Sequence, residues 1–106
     1  MSKILATILF MLKFALNKKP YDFLEEIATR HRTLRKQAGF SQSELAKRSG
    51  VSLGSLKRFE TTGQISLEAL LKLAELLNRL DDFDLILKPI DNFEEIEKLF
   101  SDKMRA

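Results

Sequence analysis

The segment from Gln42 to Glu60 constrains the fold of this chain more than any other, because it reads as two short helices joined by a tight turn. Gly50 is free to adopt the left-handed backbone that such a turn requires. Ala46, four residues earlier, is small enough to let the two helices cross at a steep angle. The residues expected to anchor the second helix to a core are Val51, Leu56 and Phe59.

Three serine residues mark the predicted helix starts in this part of the chain. Ser41 is followed three residues later by Glu44, the pattern of a capping box. Ser52 and Ser66 are good N-cap residues for the next two helices, because a serine hydroxyl accepts a free N–H of the first turn. The helix that begins at Ser66 is rich in leucine, and its apolar face is broader than a monomer of this size needs.

A longer helix is predicted from about Asp22 to Ala38, with Gly39 as its stop. Its apolar stripe, spaced by three and four residues, consists of Leu24, Ile27, His31, Leu34 and Ala38. The basic residues off this stripe, which are expected to face water or a ligand, are Arg30, Arg32, Arg35 and Lys36.

Both ends of the chain carry apolar segments. An apolar helix is predicted from about Ile4 to Leu16, and Pro20 is expected to end it. This helix is too short to cross a membrane, because a membrane span takes roughly 20 apolar residues. A signal peptide is the alternative for this segment, although no small-residue cleavage pattern follows it. Residues 84–90 fit a short helix or a strand, and a final amphipathic segment is predicted from Asn92.

The charge of the chain is divided unevenly. Residues 1–63 hold 12 basic and 5 acidic side chains, whereas residues 64–106 hold 6 basic and 10 acidic ones. The first part is therefore suited to a polyanion. The chain has no cysteine and one histidine, and it has no glycine-rich phosphate loop. We therefore expect no enzyme activity, no metal and no cofactor, and an intracellular location fits the lack of cysteine.

These patterns predict an all-α fold, a compact bundle of about five helices with an extra apolar N-terminal helix and a short amphipathic C-terminal segment. The predicted division is an N-terminal extension (1–20), a central domain (21–83, motif 42–61) and an acidic C-terminal extension (84–106). Because the leucine-rich face is so broad and both ends are apolar, we expect a homodimer.

The helix that begins at Ser52 leaves its polar side outward, and an α-helix fits the major groove of DNA, where base edges are distinguishable. The stretch Leu34–Leu77 reads LRKQAGFSQSELAKRSGVSLGSLKRFETTGQISLEALLKLAELL and resembles the Cro-type (XRE) helix-turn-helix repressors. The resemblance and the N–H groups of the helix start assign DNA contacts to Gln42, Ser43, Ser52, Leu53, Gly54, Ser55, Lys57 and Arg58, with Arg35 and Lys36 as phosphate contacts. Leu53 and Gly54 depart from the polar residues usual in that family, and His31 stands where an apolar residue is usual.

A narrower resemblance, from Val51 onward, is to the HipB-like antitoxins of HipA-type kinase toxins. It implies a homodimeric repressor of its own toxin–antitoxin operon, which binds an operator and a HipA-like kinase. Such a protein is expected in the cytoplasm, associated with the nucleoid and not with a membrane. The alternative is a protein-interaction module that mainly neutralises a partner and has little sequence-specific DNA binding.

Overall fold

The computed structural model describes residues 3–9 and 17–105, with side chains up to residue 101. Residues 3–9 are helical and are called α1. The other helices are α2 (Pro20–Gln37), α3 (Gln42–Ser49), α4 (Leu53–Thr62), α5 (Leu67–Leu76), a 3-10 helix (Leu80–Leu85) and α6 (Phe93–Arg105). Because the described residues form helices and no strand, the predicted all-α class is confirmed.

The three serine caps are confirmed. The hydroxyls of Ser41, Ser52 and Ser66 each accept the backbone N–H three residues later, at 3.1 Å. The second half of the capping box at Ser41 is not formed, and the Glu44 carboxylate accepts a hydrogen bond from Arg48 at 3.2 Å. At the other end of α3, Gly50 has a φ of 81°, so the predicted left-handed turn is confirmed.

The start of α2 differs from the prediction. Pro20 is its first residue, two positions before the predicted start at Asp22. Proline suits this position, since its fixed φ is helical and its missing N–H has no intrahelical acceptor there. The Asp22 carboxylate accepts the backbone N–H of Lys19 at 2.8 Å and so closes the first turn. The residue expected to end the preceding helix therefore begins the next one.

The core lies where α2, α3, α4 and α5 meet. It is formed by Ala28, Leu45, Ala46, Val51, Leu56, Phe59 and Leu73. Val51, Leu56 and Phe59, which were predicted to anchor α4, are all buried. Ala46, the small residue predicted where α3 and α4 cross, is buried as well. This cluster of seven residues is a modest core, and α4, which packs against both α2 and α3, is central to it.

The buried face of α2 is rotated from the predicted stripe. Its buried residues are Ala28, His31 and Arg35, while Leu24 and Ala38 are exposed. The prediction that Arg35 faces outward is wrong, since only 8% of this residue is exposed. A basic side chain occupies the core position because a carboxylate of α4 lies opposite it, as described below.

The two ends of the described chain are exposed. In α1, Ile4, Leu5, Ile8 and Leu9 are all exposed, and the remainder of the predicted first helix, residues 10–16 with Phe10 and Phe14, lies outside the described residues. Residues 84 and 85 belong to the 3-10 helix and residues 86–90 to irregular chain, so neither a strand nor a longer helix forms there. The Asn92 side chain accepts the N–H of Glu94 at 2.9 Å, which confirms the predicted start of α6. None of the helices in the described part of the chain is long and apolar enough to cross a membrane.

Gly63→Ala should destabilise the protein more than Gly50→Ala. Both glycines have a φ near 80°, where a Cβ costs about 1–2 kcal/mol. A Cβ at Gly63 would also lie 2.8 Å from the backbone of Leu24, whereas one at Gly50 would meet nothing within 4 Å. We expect a loss of about 1–2 kcal/mol for Gly50→Ala in urea unfolding and at least about 1 kcal/mol more for Gly63→Ala. Equal losses would contradict the close approach of α4 to α2.

Candidate nucleic-acid interface

Helix α4 has a buried side and an exposed side. Leu56, Phe59 and Glu60 are buried against the other helices. On the opposite side, the exposed residues are Gly54, Ser55, Lys57 and Arg58, with the N-cap Ser52 at its start. The core thus fixes one side of α4 and leaves a polar, basic surface on the other.

Some of the exposed side chains of α4 form hydrogen bonds with neighbouring side chains. The Ser52 hydroxyl donates a hydrogen bond to the Ser55 hydroxyl at 2.8 Å, so the two side chains lie together at the start of the helix. The Arg58 guanidinium donates to the side chain of Gln64. Leu53 is half-buried and packs against the core, so only part of its surface remains for a ligand.

The start of α3 presents backbone donors. The first helical hydrogen bond of α3 runs from Leu45 to Ser41, so the N–H groups of Gln42 and Ser43 have no acceptor within the helix. The Ser43 side chain is exposed, while that of Gln42 is half-buried. A helix start of this kind suits a phosphate group, because free N–H groups and the helix dipole both favour an anion.

A buried carboxylate joins the helices behind this surface. The side chain of Glu60 is fully buried, and the Arg35 guanidinium donates to both of its oxygens, at 2.8 and 3.0 Å. Gln42 donates a third hydrogen bond at 3.0 Å, and Nδ1 of His31 lies 3.0 Å from the carboxylate. Because these partners come from α2 and α3, one carboxylate of α4 ties three helices together.

The backbone reinforces the same arrangement. Arg32 donates to the carbonyl oxygen of Glu60 at 2.7 Å, and Arg35 donates to that of Phe40 at 2.9 Å. The guanidinium of Arg35 is therefore buried, and each of its three nitrogens donates a hydrogen bond within the protein, so it is not exposed for the phosphate contact predicted from the sequence. Lys36, the other residue of that pair, is exposed.

The buried groups have shifted pKa values. Burial would raise the pKa of Glu60, but hydrogen bonds from Arg35 and Gln42 and the charge of Arg35 lower it on balance. Burial lowers the pKa of His31 below 6.5, although Glu60 acts in the opposite direction. The cluster therefore holds an ionised carboxylate opposite a buried arginine and beside a neutral histidine at neutral pH.

The role of Glu60 was not predicted from the sequence. A signal was present, because Glu60 follows the core residue Phe59 and lies four residues after the core residue Leu56, which places a carboxylate on the buried side of α4. Arg35 lies four residues after His31 and so shares a face of α2 with it. A carboxylate on the buried side of α4 and a guanidinium on the buried side of α2 would together have indicated a buried ion pair.

Comparison with known protein families identifies this arrangement. Residues 32–83 match the family described as Helix-turn-helix. The match covers α3, α4, α5 and the last third of α2, and it supports a DNA-binding transcription regulator of the XRE type. This family is a DNA-binding and non-enzymatic one. No curated protein and no solved structure is found to be similar to the chain.

Proposed function

We propose that this helix-turn-helix protein is a sequence-specific transcription repressor that inserts α4 into the major groove of its operator. The observation that carries the proposal is that α4 has one buried side and one exposed side that is polar and basic. Glu60 and two core residues fix its inner side, while Ser55, Lys57 and Arg58 remain exposed on its outer side. In this proposal residues 21–83 form the DNA-binding domain and act in the cytoplasm on the nucleoid.

Specificity rests on few side chains. Arginine and lysine recognise guanine in the major groove, and serine pairs with several bases. Gly54 has no side chain and Leu53 is half-buried, so Ser55, Lys57 and Arg58 carry most of the base contacts. Leu53 contributes the part of its side chain that remains exposed, as an apolar contact with a thymine methyl group.

Phosphate contacts set the position of the domain on the duplex. The free N–H groups of Gln42 and Ser43 bind one phosphate, and Lys36 binds another from the end of α2. The Gln42 side chain is engaged by Glu60, so its contribution to DNA binding comes from the backbone. In this proposal Arg35 supports DNA binding without contacting DNA, because its hydrogen bonds to Glu60 fix the position of α4.

We infer a homodimer, because a two-fold operator needs two copies of the domain with half-sites about 34 Å apart. The exposed apolar residues that suit the contact follow α5, and they are Leu85, Ile86, Leu87, Ile90, Phe93 and Phe100. This amount of exposed apolar surface in one stretch is unusual for a monomer. In the sequence it follows the matched segment, whereas α3 lies in the first half of that segment.

The same stretch favours a second candidate function, an antitoxin that also binds a HipA-like kinase. Its surface combines exposed aromatic residues with the acidic residues Glu94, Glu95 and Glu97. A basic, apolar surface on a partner would complement it. A kinase-like gene beside this one, and a stable complex of the two products, would support this function, and recovery of no partner at native expression would count against it.

The repressor proposal is tested by mapping bound DNA across the genome and measuring affinity for a recovered site at 50 and 200 mM salt. A dimer that makes six or more phosphate contacts should lose about 10³-fold or more in affinity over this range. A loss of less than tenfold, or the absence of any recovered site, would contradict the proposal.

A further inference from the structure

His31 is a buried titratable residue to which the proposed function gives no role. Only 6% of it is exposed, and it stands where an apolar residue is usual in the family that the sequence resembles. Its ring packs edge-on against Phe59, with the ring centroids 5.1 Å apart, and its Nδ1 lies 3.0 Å from the Glu60 carboxylate. Phe59 and Glu60 are neighbours on the buried side of α4. One side chain of α2 therefore contacts α4 at two points.

The site of His31 suits a ring that carries one proton and not two. The Glu60 carboxylate only accepts hydrogen bonds, so Nδ1 carries the proton of the neutral ring. The other nitrogen, Nε2, is buried with almost no surface accessible to water, and it has no hydrogen-bond partner among the described residues. A second proton would turn Nε2 into a charged donor in the same place, and an unpaired buried charge is far more costly than an unpaired neutral acceptor.

The charges around His31 do not compensate a second proton. Glu60 is the acid that contacts the ring, and both of its oxygens already accept from the Arg35 guanidinium. The other charged residues that lie near the Glu60 carboxylate or line a cavity with His31 are Arg30, Arg32, Arg79 and Asp82. Three of these four are cationic, and Asp82 is paired with Arg79 at 2.9 Å. Helix α5 contributes only apolar side chains to the same cavity.

We propose that His31 is a positioning residue for α4, and that protonation of its ring releases α4 and weakens operator binding in acid. The neutral ring donates to Glu60 and packs on Phe59, so it holds the buried side of α4 against α2. A second proton, taken from water, forces the ring out of this site, because Nε2 has no acceptor there. Both contacts with α4 are then lost. Only the link to DNA rests on the proposed function, in which α4 enters the major groove.

The first test is a titration of the His31 ring in the full chain without DNA, which needs no variant. His31 is the only histidine, so its ring nitrogens are read without overlap in ¹⁵N-labelled protein. We expect the proton of the neutral ring on Nδ1 and a midpoint below 6.5, because burial lowers the pKa of His31 more than Glu60 raises it. The amide resonances of residues 56–60 should shift with the same midpoint. A proton on Nε2 at neutral pH, a midpoint at or above 6.5, or amides of α4 that do not respond would each overturn the proposal.

The second test is the dependence of stability on pH. The unfolded chain takes up the proton near pH 6.5, whereas the folded chain takes it up only at lower pH, so acid favours the unfolded chain. Urea unfolding is measured at pH 7.5 and 5.5 and at one protein concentration. We expect the equilibrium constant of unfolding to rise by about three- to tenfold in the wild type. His31→Leu, whose side chain cannot gain a proton, should change by less than about twofold.

The matched control is His31→Leu combined with Thr33→His, which returns the histidine to an exposed position of the same helix. It should respond to acid like His31→Leu, because an exposed ring keeps its ordinary pKa in both the folded and the unfolded chain. Equal acid sensitivity in the wild type and in His31→Leu would overturn the proposal. Acid sensitivity restored by the exposed histidine would do so as well.

The link to DNA is tested by operator affinity at pH 7.5 and at one pH unit below the measured midpoint of His31, at one salt concentration. About nine-tenths of the rings are then protonated, so we expect a loss of at least about threefold in the wild type and of less than about twofold in His31→Leu. An added positive charge on a surface would strengthen binding instead. Unchanged or stronger binding by the wild type in acid would overturn the link. Failure to bind any operator at pH 7.5 would overturn the proposed function but not the role of His31 in holding α4, which is measured without DNA.

Discussion

Glu60→Ala should lower the free energy of unfolding by about 3–5 kcal/mol. The substitution removes a fully buried carboxylate and leaves the guanidinium of Arg35 buried without its partner. It also removes the acceptor for Gln42 and for His31. The measurement is urea unfolding of the full chain at pH 7, followed by far-UV circular dichroism. Glu75→Ala, which removes an exposed carboxylate from α5, is the control and should change stability by less than about 0.5 kcal/mol.

The size of this loss does not measure a net gain from the ion pair. Taking two charges out of water costs as much as their attraction returns in many proteins. Replacing both partners, with Arg35→Met and Glu60→Leu, should therefore restore much of the stability lost in Glu60→Ala. A loss below about 1 kcal/mol in Glu60→Ala would contradict the buried pair. A double variant less stable than Glu60→Ala would show instead that the pair stabilises the fold beyond what apolar packing provides.

Lys57→Ala combined with Arg58→Ala should reduce operator affinity by about 100-fold or more. Each side chain is exposed on α4 and contributes either a base contact, worth about 1–3 kcal/mol, or a phosphate contact, and a dimer loses both in each half-site. Far-UV circular dichroism should be unchanged, because neither residue belongs to the core. The measurement is a gel shift with the recovered operator at one fixed salt concentration.

The matched control for this double substitution is Lys72→Ala with Lys88→Ala. It removes the same charge from exposed positions outside α3 and α4. We expect it to weaken binding by less than threefold, through the overall charge alone. Retention of operator affinity within threefold in Lys57→Ala with Arg58→Ala would contradict the assignment of α4 as the recognition helix.

Local chemistry made much of this fold predictable. A serine before α3, α4 and α5 and a glycine after α3 act within three or four residues, so the sequence alone located these three helices. The buried anchors of α4 followed from their spacing and their apolar side chains. The outward side of α4 was then predictable as well, because it is what remains after the anchors are buried.

Long-range pairing was not predictable in the same way. Arg35 and Glu60 are 25 residues apart, and each looks like a surface residue until the other is placed opposite it. For the same reason the apolar stripe was predicted to be the buried face of α2, whereas the buried face in the structure includes Arg35. Pro20 was misplaced because proline both ends one helix and begins the next, and the residues around it did not decide between the two.

The central claim is that the exposed side of α4 enters the duplex, and amide chemical-shift mapping tests it most directly. ¹⁵N-labelled protein is titrated with the operator fragment at low salt. We predict that the largest shifts occur at residues 52–58 and at the start of α3, with small shifts in α6. Large shifts confined to residues 80–100, with α4 unchanged, would contradict the claim.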